Sequence, residues 1–596
     1  MIRKPLRPLA QIITAREKGE NPDVIERENL AERHAEMQTK ARQRAEGRLL
    51  VLCMFFLMAF TAIGVRMGGL ATSDPVEPIA STASGSTIAM QRADIVDRNG
   101  RILATNLETH SLYAQPPQMV DPQHVATQLV EIFPDLDRDE LLEDFTGKRK
   151  FLWIKRKISP EQKQAVHDIG DPGLLFGPRE MRLYPNGSVA AHVLGGAGFG
   201  KEGVSAAEVI GVAGVEKEFD GYLRDPANGG RPLELSLDLT VQAASEQVLM
   251  GGMRLMNAKG ATSVLMDVHT GEVISVVSLP DFDPNDRPRP PTSGFDPSVS
   301  PLFNRAVQGV YELGSTFKIF TTAQAIDLGL VNAQTIVDAS GPMRIGRFPI
   351  GEFNNKNFGK ISVTDVIINS SNRGTGRLAL QIGPQRQQEF LDALGMFDPT
   401  PIEIVEADGG QPLKPRKWGE LSTVTISYGH GLSTSPMHLA AGYAAIANGG
   451  RYIRPTILRQ AAPQTGTRVM SEQAAAESRE MLRKVVTSGT ASFGEVPGYQ
   501  VGGKTGTADK PKPRGGYYES KVIATFAAMF PAHDPKYVLV VTLDEPSVIA
   551  HGEERRSAGW TAVPVAGEMI GRIAPLLGLR PQVEPDWLSD ITLTSN

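Results

Sequence analysis

Three short groups of reactive side chains stand in order along the second half of the chain. The first is Gly314-Ser315-Thr316-Phe317-Lys318, where an apolar run with helical patterning, Thr316 to Leu328, begins. A serine and a lysine three positions apart share one helix face, so the amine can lie against the hydroxyl. A serine hydroxyl is a weak nucleophile until a neighbouring base takes its proton. Lys318 is such a base if burial and a nearby cation lower its pKa. The helix N-terminus adds partial positive charge that favours a developing oxyanion. The second group, Ser370-Ser371-Asn372, follows the apolar stretch Val363 to Ile368. Its hydroxyl and amide, two positions apart, suit a proton shuttle and a hydrogen-bonding anchor. The third, Lys504-Thr505-Gly506-Thr507, opens a strand expected to pair with Val522 to Phe530. Lysine and threonine hydroxyls suit a carboxylate, glycine permits close backbone approach, and an edge strand can hold an extended peptide. Ser-x-x-Lys alone occurs by chance in long chains, so the ordered set carries more weight than any member.

The third group also satisfies a P-loop pattern, from Gly498 to Gly503-Lys504-Thr505. That mechanism needs a helix after the glycines, to present N–H groups to phosphate. Pro497 precedes the run, and Pro511 and Pro513 break any following helix. A nucleotide site is therefore not expected.

The elements that must position these groups come from the rest of the pattern. Ser263 to Val268 and Val273 to Ser278 read as a hairpin around His269-Thr270-Gly271-Glu272, and Val522 to Phe530 with Tyr537 to Leu543 as a second. Helical stretches such as Met437 to Ala447 lie between them. Strands at both ends with helices between predict one antiparallel sheet packed between helices. Ser278 to Leu302 and Ala508 to Ser520 are rich in proline and glycine and read as loops. Ahead of Leu233, residues 87–232 read as mixed α/β, opening with a strand, an Asn99-Gly100 turn and a second strand.

At 596 residues the chain exceeds a single core, so two or more domains are expected. The 41% hydrophobic and 22% charged shares fit folded material, and a net charge of −5 gives no ground for a nucleic-acid partner. One cysteine, Cys53, excludes an intramolecular disulfide and a cysteine-based metal site. The histidines show no ligand spacing, so neither metal nor cofactor is expected. Leu49 to Val65 is uncharged and flanked by Arg48 and Arg66, which reads as a spanning helix. The 48 residues ahead of it argue against a cleaved signal peptide. Arg33, Lys40, Arg42, Arg44 and Arg48 precede the span, whereas the next basic residue after Arg66 is Arg92. Positive charge stays inside, so a single-pass, type II layout is expected, with the bulk of the chain exported. Helical patterning in the first 48 residues is confined to Asp23 to Arg44, and Ala71 to Ser86 reads as a linker.

Ser-x-x-Lys, Ser-x-Asn and Lys-Thr-Gly in this order resemble the signature shared by penicillin-binding proteins and class A β-lactamases. The spacing is also similar: Ser370 follows Ser315 by 55 positions and Lys504 follows Ser370 by 134. Asn304-Arg305-Ala306 before Tyr311-Glu312-Leu313-Gly314 resembles the family's approach to its nucleophile, with Leu313 where the family usually has proline. Tyr428-Gly429-His430-Gly431 with Ser435-Pro436 is similar to a further family segment. In the N-terminal part, Arg92 to Gly100, Arg182-Leu183-Tyr184-Pro185 and Gly214-Val215-Glu216 resemble the dimerisation, or pedestal, domain of class B members. The likeness spans roughly residues 48 to 575. No glycosyltransferase signature stands between the anchor and residue 232, which also fits class B. Ser-Ser-Asn with Gly374 looks like the division-specific rather than the elongation-specific type.

The resemblance implies an α+β protein with the penicillin-binding transpeptidase (serine β-lactamase-like) fold, an α/β pedestal and one transmembrane helix. The expected divisions are a cytoplasmic tail (1–48), an anchor (49–67), a linker (68–86), the pedestal (87–232), the transpeptidase domain (233–580) and a C-terminal tail (581–596). It implies that Ser315 is acylated by a D-alanyl-D-alanine stem peptide, with Lys318 as general base. Ser370 would relay a proton to the leaving amine, and Asn372 would orient Lys318 and the substrate amide. Lys504, Thr505 and Thr507 would hold the terminal carboxylate or its β-lactam mimic, with Gly506 between them. The N–H groups of Ser315 and Thr507 would form the oxyanion hole. Expected partners are peptidoglycan stem peptides, β-lactam antibiotics, a membrane glycan polymerase and other divisome proteins. The expected location is the bacterial inner membrane with a periplasmic catalytic domain, and carboxypeptidase activity is a further expectation. An elongation enzyme, a β-lactamase or β-lactam sensor, and a non-catalytic wall-binding scaffold are the alternatives.

Overall fold

The structure, a computed structural model, describes residues 7–21, 24, 35, 39, 46–67, 92–202, 207–290, 297–512 and 515–582. The chain forms two compact units, Met1–Ile79 and Ala80–Asn596. In the first, a helix spans Arg7–Glu17, which the sequence reading did not anticipate. Most of the Asp23 to Arg44 stretch, and the 71–86 linker, lie outside the described residues. A second helix, Glu46–Met67, has 22 residues and a mean hydropathy of 2.3. At 1.5 Å per residue it is about 33 Å long, enough for a hydrocarbon core of roughly 30 Å. Its large apolar side chains from Leu49 to Met67 are exposed.

The second unit begins with a five-stranded sheet in which Ile95–Val96 pairs antiparallel with Ile102–Ala114 across the predicted Asn99-Gly100 turn. Ile102–Ala114 also pairs with Leu152–Ile158 and Leu174–Leu183. Helices Pro122–Ile132, Arg138–Thr146 and Pro160–Ile169 cover part of this sheet. Asp121, Asp137 and Ser159 cap them, each accepting from first-turn N–H groups. They enclose a core of their own around Leu112, Leu129, Phe133 and Ile158.

The larger, C-terminal part is built on one antiparallel sheet of five strands: β1 (Gly260–Asp267), β2 (Val273–Leu279), β3 (Gly502–Pro511), β4 (Tyr517–Phe530) and β5 (Tyr537–Asp544). The spatial order is β3-β4-β5-β1-β2, so the two sequence-distant hairpins meet at β5 and β1. Helices α1 (Leu239–Leu255) and α7 (Ala562–Leu576) pack together and on the sheet, as do α5 (Pro436–Ala447) and α6 (Glu472–Ser488). Every residue of Val522 to Phe530 is buried, the pattern of a strand covered on both faces. One expectation is corrected: Ala508 to Ser520 is not all loop, because β3 runs to Pro511 and β4 starts at Tyr517. Pro511 is tolerated because β3 is an edge strand and needs no outward donor.

The two parts share one core, which runs from Ala93, Ile95 and Leu103 through Leu235 and Val241 to the large sheet. Polar contacts sew the same seam. Asp97 accepts from Leu239 N at 3.0 Å, and Asp238, the N-cap of α1, is held by Asn99 and Arg101.

Candidate active site

Ser315 sits on a tight turn, Gly314–Phe317, that runs directly into α2 (Lys318–Asp327). Lys318 thus begins the α-helix three residues after the serine, as the spacing predicts. Two close backbone approaches fix this turn. Gly314 N donates to Gly429 O at 3.2 Å. On the other side β3 presses so near that a Cβ on Gly506 would lie 2.2 Å from Leu313 O. A Cβ on Gly314 would lie 3.1 Å from Thr507 N, which puts the Thr507 backbone beside the serine turn.

Behind the serine lie two lysines with no solvent exposure, Lys318 and Lys504. Ser370 stands between them, its hydroxyl 3.1 Å from Lys318 Nζ and 3.0 Å from Lys504 Nζ. Lys318 also donates to Ser370 O, and Lys504 to Thr505 O at 3.1 Å. Ser370 reaches this place in a left-handed backbone conformation, φ 59°, which costs a non-glycine residue on the order of 1 kcal/mol. Burial pushes the Lys504 amine down to about 7. Lys318 is driven well below the usual lysine range, by burial first and by the adjoining Lys504 charge second, while Glu352 pulls the other way. A neutral amine keeps two N–H donors and gains a lone pair, so Lys318 can hold Ser370 O and still accept a proton.

The second group is a helix start. Ser371 is the N-cap of α3 (Asn372–Ile382) and accepts from Gly374 N at 3.0 Å. Glu352, only 6% exposed, takes Ser371 Oγ at 2.6 Å, Asn372 N at 2.8 Å and Arg373 N at 2.9 Å. Asn372 Nδ2 donates to Gly351 O at 2.8 Å, and among the described residues it makes no hydrogen bond to Lys318. On β3, Thr505 Oγ1 lies 2.7 Å from Thr490 Oγ1, while Thr507 Oγ1 accepts from Ala558 N at 3.0 Å. The Ser315 turn, Lys318 and Ser370 thus lie beside the Lys504–Thr507 stretch of β3, and Asn372 opens α3 two residues after Ser370. The arrangement supplies a hydroxyl at a helix start, a buried amine of lowered pKa three residues on, a second hydroxyl joining two amines, and an edge strand.

The chain matches the penicillin binding protein transpeptidase domain over residues 261–569 and the penicillin-binding protein dimerisation domain over 87–235. It is 34% identical over 567 residues to the probable peptidoglycan D,D-transpeptidase FtsI of Caulobacter vibrioides, covering 92% of each chain. It belongs to the class B penicillin-binding proteins of the FtsI type. The peptidoglycan D,D-transpeptidase FtsI of Escherichia coli K12 is 26% identical, over 90% of this chain and 92% of its own. Penicillin binding protein 3 of Mycobacterium tuberculosis, solved with aztreonam, shares the fold, with a TM-score of 0.62, 24% identity and coverage of 83% of this chain and 97% of its own.

In this class B penicillin-binding protein the three N-terminal motifs converge on one buried carboxylate. Arg92 Nε donates to Glu216 Oε2 at 2.8 Å, Arg182 Nε to Glu216 Oε1 at 2.6 Å, and Tyr184 OH to Glu216 Oε1 at 3.3 Å. Sequence reasoning missed Glu352, Thr490 and Ala558. Glu352 sits in Pro349-Ile350-Gly351-Glu352-Phe353, which carries no motif, and only the fold brings it to the Ser371 turn. The signal that was available is the start of α3, whose unpaired N–H groups require an acceptor.

Proposed function

We infer that this protein is a peptidoglycan D,D-transpeptidase of cell division that works through an acyl-enzyme on Ser315. The observation that carries the chemistry is the Ser370 hydroxyl held between the Lys318 and Lys504 amines, next to the serine turn. Ser315 Oγ attacks the penultimate D-alanine carbonyl of a stem peptide, and Lys318 takes the hydroxyl proton. The N–H groups of Ser315 and Thr507 meet the oxyanion. The peptide C–N bond then breaks, and the leaving D-alanine amine receives a proton through Ser370. Lys504, with Thr505 and Thr507, holds the terminal carboxylate along β3. The amine of a second stem peptide attacks the ester, gives up a proton to the same relay and releases Ser315, which leaves a cross-link. Water in place of that amine gives carboxypeptidase activity. Asn372 binds the substrate amide while its own Nδ2 is anchored on Gly351 O.

The helix Glu46–Met67 anchors the protein in a membrane. We place it in the inner membrane with the catalytic part in the periplasm, from the arginines and lysines ahead of the span. A separate membrane glycan polymerase and other division proteins are its partners in this reading.

The test is labelling of the purified protein with a fluorescent penicillin beside Ser315→Ala. A stable band in the wild type, absent in the mutant, supports the reading. Rapid turnover of the label would point to a β-lactamase, and no band in either protein to a scaffold.

A further inference from the structure

Glu352 is a charged residue brought to the Ser371–Arg373 helix start by a segment outside the three motifs. It follows the hairpin Met343–Ile345 and Phe348–Ile350, and Met343 and Ile350 pack on Val424 of α4 (Glu420–Ser427). That small core also includes Tyr428, next to the Gly429 that abuts the serine turn. The carboxylate therefore rides on a platform tied to the same wall that fixes Ser315.

Its three hydrogen bonds all go to consecutive residues, Ser371, Asn372 and Arg373, which form the N-cap and first turn of α3. An anion at that place satisfies N–H groups with no intrahelical partner and meets the positive end of the helix dipole. Ser370 is the residue immediately before, and it is the strained one, with φ 59°. A left-handed serine persists only where its neighbours over-determine it. On one side Lys318 binds its carbonyl and hydroxyl; on the other Glu352 fixes the start of α3.

We propose that Glu352 is a positioning residue for acyl transfer: its buried carboxylate locks the Ser371–Arg373 helix start and so holds the Ser370 hydroxyl between Lys318 and Lys504. It touches neither substrate nor reacting atoms. Its charge has a second effect, because among the described residues two charged groups bear on Lys318: Lys504 from β3 and Glu352 from the 350–356 loop. Three charged residues on helices packed against α2 have partners away from Lys318. Glu477 of α6 accepts from Ala333 N, Arg479 of α6 donates to Ile446 O, and Arg373 of α3 donates to Ile350 O. Glu352 favours the protonated amine, so its loss leaves Lys318 neutral to lower pH.

The inference rests on the acyl-enzyme reading, and the experiment separates the two. Acylation rates of wild type, Glu352→Gln and Ser371→Ala are measured with a fluorescent penicillin across pH, with thermal unfolding of each. Glu352→Gln keeps the shape but sets an amide N–H₂ against backbone donors. It is expected to acylate about 10- to 100-fold more slowly, with its acid limb moved to lower pH. Ser371→Ala removes the bond to Glu352 and the cap on Gly374 N but keeps the charge, so it is expected to slow acylation by roughly 3- to 10-fold with the limb unmoved. A carboxylate that served folding alone would lower the melting temperature without moving the limb of the remaining active enzyme. Glu352→Gln within twofold of wild type and with an unmoved limb overturns the proposal. If Glu352→Gln does not fold, Ser371→Ala decides: a slowed rate supports the proposal and an unchanged rate overturns it. A wild type that takes no label removes the acyl-enzyme reading and this inference with it.

Discussion

Gly429 stands against Gly314 with no room for a side chain: a Cβ on Gly429 would lie 2.0 Å from the Gly314 carbonyl oxygen and 2.5 Å from its carbon. The contact fixes the residue before Ser315, and Gly314 N returns a hydrogen bond to Gly429 O at 3.2 Å. Gly429 also has φ +82°, a conformation that an L side chain adopts only under strain.

Gly429→Ala should therefore displace the serine turn. We expect β-lactam acylation to fall by about 100-fold, the effect of moving a reacting group by roughly 1 Å. Gly431→Ala is the control, since Gly431 has a similar φ of +83° but its nearest neighbour is a side-chain oxygen 3.4 Å away. It should cost about 1–2 kcal/mol of stability from backbone strain and leave the acylation rate near wild type. Equal losses of rate in the two variants would show that the close approach to Gly314 has no part in placing Ser315.

The two buried lysines predict a bell-shaped pH dependence of the second-order acylation rate. Lys318 must be neutral to take the serine proton, and burial, with the adjoining Lys504 charge, lowers its pKa towards that form. Lys504 must be charged to attract a carboxylate, and its amine, pushed down to about 7, loses that charge as pH rises. The rate should therefore fall on the alkaline side from about pH 7 in the free enzyme. Lys504→Arg keeps a charge at all accessible pH and should abolish that limb, at some loss of maximal rate. A wild-type profile flat from about pH 6 to 9 would sink the assignment of this limb to Lys504.

Much of this site was legible because local spacing carries it. Ser315 and Lys318 had to share a helix start, and Lys504 to Thr507 had to lie on a strand that pairs with Val522 to Phe530. Both follow from periodicity and from the ordered motifs. What could not be read was contact between segments without a pattern. Glu352 is 19 residues from the Ser371 it binds, and Thr490 is 15 from Thr505. Neither carries a sequence mark, because a hydrogen bond formed across a fold leaves no periodicity. The loop expected at Ala508 to Ser520 was drawn too long for a related reason. Proline marks a break in a strand that needs donors on both sides, whereas an edge strand tolerates Pro511.

Glu216 offers a test of the N-terminal part. Arg92 and Arg182 both point at its fully buried carboxylate, with side chains 2% exposed. Glu216→Gln leaves Arg182 buried without its counter-charge and Arg92 with Asp220 alone, and breaking a buried pair typically costs about 3–5 kcal/mol. We expect a markedly lower melting temperature. Because Ala93 and Ile95 belong to the core that reaches the large sheet, we also expect the loss to reach the active site. Unchanged thermal unfolding of Glu216→Gln would contradict the view that this cluster holds the N-terminal part together.

Glu246 of α1 makes the seam between the two parts sensitive to pH. Its carboxylate accepts from Ala190 N at 2.8 Å and from Gln242 Nε2 at 2.9 Å, and Ala190 is itself left-handed with φ 60°. Burial first, and the nearby Asp281 charge as a lesser cause, push the carboxyl up to about 7 from 4.5. With the folded pKa above the unfolded one, the native state binds the extra proton between these values. Stability from this group is then full below about pH 4.5 and is lost as pH rises towards 7. The loss is on the order of 3 kcal/mol, at about 1.4 kcal/mol per pKa unit. Glu246→Gln keeps an acceptor for the Ala190 N–H and removes the charge. It should match the wild type near pH 4.5 and exceed it above pH 7, by about 1–3 kcal/mol in thermal or urea unfolding. A difference between mutant and wild type that is the same at both pH values would show that the carboxyl ionises there as freely as in water.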